Sequence, residues 1–151
     1  MKTKNLLIVV VILCLFILAG CGGPSTEMYV GAYKADTRAV MTIGSDFNES
    51  WDSTDEDLTI VTGNNADLLV NIGDGCILPA DLEKESFKIQ SNSPCTIKVD
   101  GGVVQLQFNG DGIIDSRDRL SLELTSTGTL NMDNGASLPA TLRLTITARR
   151  L

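Results

Sequence analysis

Histidine is missing altogether from this chain of 151 residues. That absence removes Ser-His-Asp and Cys-His nucleophiles, the histidine general base and every imidazole metal site. Phosphate-cradling G-x-x-x-x-G-K loops are missing as well. Basic residues are scarce, 12 Lys and Arg against 19 Asp and Glu, and they form no stripe. Like-charge repulsion therefore disfavours nucleic acid and anionic lipid headgroups as ligands. No apolar run reaches the about 20 residues that a membrane-spanning helix needs. An enzyme built from what is left would have to use carboxylates, as glycosidases do. With 19 of them some fall close together by chance, so a carboxylate-based hydrolase stands only as an alternative to a non-catalytic protein.

What is present begins with the first 23 residues. Lys2 and Lys4 precede the apolar run Leu6 to Leu18, and small residues follow in Ala19-Gly20-Cys21-Gly22-Gly23. A charged start, a short apolar middle and a small-residue exit are the marks of a secretory signal. The tetrapeptide Leu18-Ala19-Gly20-Cys21 resembles the lipobox of bacterial lipoproteins. The resemblance implies diacylglycerol in thioether linkage on Cys21, cleavage just before it and acylation of the new amino group. Residues 1–20 are then the leader, 21–27 a lipidated tether and 28–151 a single β domain. One acyl chain binds a membrane only marginally, whereas two or three hold it firmly. Gly22 after the cysteine resembles the outer-membrane pattern of enterobacterial lipoproteins, so the expected location is the cell envelope, at the outer membrane. Losing Lys2 and Lys4 leaves ten basic against 19 acidic residues, a formal charge of −9. Such a charge keeps the domain soluble and off the membrane surface.

With Cys14 in the leader and Cys21 on lipid, Cys76 and Cys95 remain, an even number for an oxidising compartment. They lack the C-x-x-C spacing of a redox pair, and both read as strand beginnings. Cys95 shares its side with Ile97 and Val99, which points its sulfur at the core. A structural disulfide is expected, closing a loop of about 20 residues and contributing about 3 kcal/mol.

The periodicity is two nearly everywhere. Leu142, Leu144, Ile146 and Ala148 alternate with polar residues, as do Leu120, Leu122 and Leu124, and Val104, Leu106 and Phe108. These are half-buried strands. Weaker candidates are Tyr29 to Ile43, bent in the middle, Leu58 to Thr62, Ala66 to Ile72, Cys76 to Leu78 and Ser86 to Gln90, with a single helical turn around Ala80 to Glu85. Turn chemistry marks Gly63-Asn64-Asn65, Asp100-Gly101-Gly102, Asn109-Gly110-Asp111-Gly112 and Asp133-Asn134-Gly135. The expectation is an all-β antiparallel meander of about eight strands forming a small barrel, with a β-sandwich as the alternative. An immunoglobulin sandwich is disfavoured because Trp51 precedes both cysteines instead of lying between them.

The opening Tyr29-x-Gly31-x-Tyr33, the steady hairpins and the closing strand resemble a lipocalin-like meander. The lipobox with Gly-Gly, the early G-x-Y, the cysteines flanking Phe87-Lys88-Ile89 and the terminal Thr141-Leu142-Arg143-Leu144-Thr145 are similar to small lipoproteins of soil and predatory proteobacteria. That group brings no activity to carry over. Expected partners are the membrane, through the lipid on Cys21, and an envelope protein or a small apolar ligand.

Two acidic stretches compete for function. Asp46, Glu49, Asp52, Asp55, Glu56 and Asp57 crowd what reads as a linker before Leu58, with Phe47 and Trp51 interleaved. A divalent-cation site or a recognition loop with two aromatic anchors is one reading. A solvated loop whose aromatics cap one end of the barrel is the other. The second stretch is similar to the calcium loop of dockerins and EF-hands. Counted from Gln107, oxygen ligands fall at Asn109, Asp111, Asp115 and Asp118, the turn glycine at Gly112 and a backbone carbonyl at Ile113. Gln107 stands where the motif wants Asp, and strands flank the loop where the motif has helices. Calcium is accordingly the one cofactor the sequence suggests, through a calcium-dependent surface module, and a polar hairpin connection accounts for the same residues.

Overall fold

A computed structural model describes residues 25–115 and 117–151. The leader and the expected lipid site Cys21 lie outside the described residues. After a 3-10 turn at Thr26–Met28 come eight strands: β1 Gly31–Ile43, β2 Phe47–Thr62, β3 Leu68–Asn71, β4 Ile77–Leu82, β5 Phe87–Val99, β6 Gly102–Ile114, β7 Arg119–Met132 and β8 Ser137–Arg150. Each pairs antiparallel with the next, and β8 returns to β1 to close a barrel. The closure excludes the sandwich.

The alternation read in the sequence decides which side faces in. Leu120, Leu122 and Leu124 of β7 meet Ala148, Ile146 and Leu144 of β8, and all six are buried. Opposed residues of an antiparallel pair share a face, so one register places two strands' apolar sets in one core. The intervening positions carry Lys34, Lys88, Gln105, Gln107, Glu123, Arg143 and Arg149 outward. A transmembrane barrel has its apolar band outside, and this one has it inside.

One end, here called the lower, is sealed by aromatic packing. Tyr29 meets Phe87 edge-on at 5.1 Å between ring centroids. The Tyr33 hydroxyl donates to the Tyr29 carbonyl at 2.6 Å. Arg150 lies over the Tyr33 ring at 5.5 Å, donates to the Tyr33 hydroxyl at 3.0 Å and also donates to the Met28 carbonyl. Arg150 thereby ties the last strand to the segment that plugs the barrel. Burial, reinforced by the neighbouring Tyr33, holds the Tyr29 hydroxyl protonated to higher pH than usual.

Several local expectations are corrected. The acidic stretch is no linker: Asp46 belongs to a tight hairpin, and Phe47 to Asp57 form the first part of β2, paired to β1 from Ile43↔Phe47 onward. Gly44 takes the left-handed φ of 61° that lets the chain reverse there. Charges on an outward face do not oppose strand formation, and so acidity concealed a strand. The bend expected in β1 is present as a register shift between Ala35 and Thr37. Ser86 to Gln90 and the Cys95 segment are one strand, β5, interrupted by a shift between Ile89 and Ser93 where Asn92 adopts φ 62°. Ala80 to Glu85 is not helical; Ala80 to Leu82 end β4, and Glu83 N–H bonds the Ser86 carbonyl across a hairpin. Cys95 is in mid-strand, and Cys76 immediately precedes β4.

Candidate functional site

The barrel is not equally tall all round. β3 has four residues and β4 six, between neighbours of 16 and 13. β3 pairs only Thr59 to Thr62 of β2, and β4 only Phe87 to Ile89 of β5. Above those rungs neither β2 nor β5 has a strand on that side. The upper half is therefore a curved six-stranded sheet with β2 and β5 as its edges, and a notch opens between them.

The notch leads to a cavity of about 380 Å³, within the range of small-molecule sites. Phe108, Leu142, Leu144 and Ile146 form its apolar floor, and Trp51, Asp55, Glu56 and Asp74 stand around it. Trp51 faces inward because it is paired with the buried Ala39. Yet it is 43% exposed, as Phe47 is at 44%, because no strand lies beyond the β2 edge to cover them. Trp51 thus lines the notch, whereas Phe47 lies at the upper end of the barrel, paired with Ile43 beside the β1–β2 turn. A hollow of about 730 Å³ lies on the outer wall among Lys34, Asp36, Arg119 and Arg149. It lies over the β1–β2 register shift and the β6–β7 turn and is lined mainly by charged side chains.

Cys76 and Cys95 meet at the foot of the notch at disulfide distance, their Cα atoms 5.2 Å apart. Both are buried, in accord with the inward direction read for Cys95. The pair joins the turn after β3 to β5 just where the β4–β5 ladder has ended. It crosslinks the one place where hydrogen bonds no longer close the barrel.

The residues of the calcium-loop reading are not brought together. Asn109, Asp111 and Ile113 lie within β6, paired to Thr125, Glu123 and Ser121 of β7, and so the expected turn at Asn109 to Gly112 is strand. Gln107 to Ile113 alternate along the outer face, and six strand residues from Asn109 to Asp115 cover about 20 Å, whereas a loop ligating one ion must fold on itself. The oxygens have other partners. Asn109 Oδ1 accepts from Asn92 N–H, Asp115 Oδ1 from the N–H groups of Arg117 and Arg119 at 2.8 and 3.1 Å, and Asp118 faces Arg150 at 3.6 Å. The backbone N–H of Arg117 and then that of Arg119 hold the Asp115 carboxyl below its ordinary pKa. Among the described residues no group of three or more Cys, Asp or Glu is placed to hold a metal. The hairpin bend is at Asp115 to Asp118, where Asp118 has φ 57°.

The notch itself went unread in the sequence. A signal for it was present: the turns at Gly63-Asn64-Asn65 and Gly73-Asp74-Gly75 are so close that the strand between them has to be short. Comparison with known protein families, with curated proteins and with solved structures finds no match for this chain.

Proposed function

We propose that this chain is a lipid-anchored, non-catalytic binding module of the bacterial cell envelope, placed at the outer membrane through lipid on Cys21, which takes its ligand into the notch between β2 and β5. The observation that carries this reading is the breach itself. A barrel of this size can bury its core completely, but here apolar side chains of β6 and β8 are reached through one wall. An apolar floor under an acidic rim of Asp55, Glu56, Asp57 and Asp74 suits the apolar part of a small ligand or an apolar anchor from an envelope partner. The chain brings no histidine and no free thiol beside the cavity, and the carboxylates there, Asp55, Glu56, Asp57 and Asp74, stand around the apolar floor, which supports binding as the reading.

The lipobox supports the anchor. Ser25, the first described residue, leads into the 3-10 turn at the sealed end, and four residues of extended chain reach at most about 14 Å. Lipid on Cys21 would hold the sealed end toward the membrane and leave the notch in the upper half, away from it. The charged outer wall agrees with a barrel that is tethered and not embedded.

An uncharged apolar fluorophore titrated into the purified protein tests the cavity. Saturable binding is expected, and Ala39→Leu, which puts extra carbons into the cavity wall, should weaken it about tenfold or more. Binding that is unsaturable, or indifferent to Ala39→Leu, would remove the cavity reading.

A further inference from the structure

We infer that the free edge of β2 from Phe47 to Ser53 is a docking strand for an extended cationic segment of a partner, which adds to the sheet and lays its apolar side chains into the notch. This rests on the notch being a binding site and goes further by naming what enters it. The β2 backbone pairs with β1 on one side throughout this stretch and with nothing on the other, since β3 begins its pairing only at Thr59. An unpaired row of N–H and C=O groups is a template for one more strand.

Of the two edges, β2 is the receptive one. β5 carries Pro94, which has no N–H to donate, and Cys95 on that edge is tied to Cys76. Along β2, Phe47, Glu49, Trp51 and Ser53 alternate inward, with Asn48, Ser50 and Asp52 outward. An added strand would therefore place every second side chain beside Phe47 and Trp51, over the apolar floor.

The charge of the edge selects the occupant. β2 carries Glu49, Asp52, Asp55, Glu56 and Asp57 and no basic residue. Lys34 pairs with Asp57 and Arg149 with Asp55, whereas among the described residues Glu49, Asp52 and Glu56 have no ion pair, although Arg38 stands opposite Asp52. A second copy of this chain would bring the same carboxylates against each other and be repelled. A strand alternating Lys or Arg with apolar residues lays its apolar side chains over the floor and its cations on the outward side with Asp52, and long Lys or Arg side chains reach Glu49 across the edge.

Trp51 is the only tryptophan of the chain, so its emission reports on this edge. The probe is an end-blocked heptapeptide alternating four lysines with three valines, added to the full chain purified in detergent without reductant. One control replaces the lysines by glutamates, and another keeps the lysines but carries N-methyl groups on the valines. The cationic peptide is expected to shift Trp51 emission to shorter wavelength and to slow amide exchange of residues 47–53 by about tenfold. The glutamate peptide should do neither, and N-methylation should abolish the protection. Glu49→Gln combined with Asp52→Asn, checked by an unchanged melt, should weaken binding about two- to fivefold per charge. Equal responses to both charges, or binding without protection of 47–53, would overturn the inference. If the apolar fluorophore binds while the cationic peptide leaves both signals unmoved, docking by strand addition is wrong and the cavity reading stands. Failure of both removes the cavity as well.

Discussion

Single residues fix the lower, sealed end of the barrel, and two of them can be tested without reference to any ligand. A Cβ on Gly112 would stand 2.1 Å from the Phe87 ring, which is itself held against Tyr29. Gly112→Ala must displace the ring that plugs the barrel, so a loss of about 2–3 kcal/mol in chemical denaturation is expected, with little change in m-value. Asp115 acts through charge. Its carboxyl is held below the ordinary range by the Arg117 and Arg119 N–H groups. A depressed folded-state pKa contributes stability that is present above the unfolded value, near pH 4, and is lost as the pH falls through the lower folded value. The melting difference between the native chain and Asp115→Asn should accordingly be full at pH 7 and shrink steadily below about pH 4. A difference independent of pH would place the role of Asp115 in shape and not in charge.

At the scale of elements, strand existence was legible wherever apolar and polar residues alternate strictly, as in β6, β7 and β8. It was illegible where the inward positions are not apolar. The upper half of β2 turns Glu49 and Ser53 inward beside Trp51 and Phe47, and a strand whose inner face lines an open notch has no need of a continuous apolar stripe. The proposed site and the misreading coincide here for one physical reason. The β6 segment misled in the opposite way, since Asn109-Gly110-Asp111-Gly112 has turn chemistry but 13 continuous pairings to β7 override it. Tertiary pairing outweighs local preference in strands more readily than in helices. The short strands β3 and β4 make the Cys76–Cys95 link matter. With only four rungs between β3 and β4 and three between β4 and β5, this wall has the fewest hydrogen bonds. Replacing both cysteines by alanine should lower stability by about 3 kcal/mol, and hydrogen exchange should rise first in residues 68–82. Uniformly raised exchange across all strands would mean that the link restrains only the unfolded chain.

At the scale of the whole molecule, the placement of the notch relative to the proposed tether at Cys21 would decide what can reach it. Trp51 pairs with Ala39, eight residues along β1 from Gly31 at the sealed end. At about 3.3 Å per residue and a strand tilt near 40°, Trp51 stands about 20 Å above that end. A formal charge of −9 on the chain after Cys21 works against the barrel lying down on anionic lipid. The proposed tether at Cys21, together with a sealed lower end and an acidic wall, predicts an upright domain with its notch open to the aqueous space. Lipidated protein reconstituted in vesicles containing brominated lipid tests that arrangement. Trp51 emission should be quenched no more than in vesicles without bromine, because bromine in the acyl region quenches only on near contact. Cys21→Ala protein should not mature normally, and it should not take up a palmitate analogue. Strong quenching of Trp51 by brominated lipid would show the notch turned to the bilayer, and the ligand would then have to be sought among the lipids themselves.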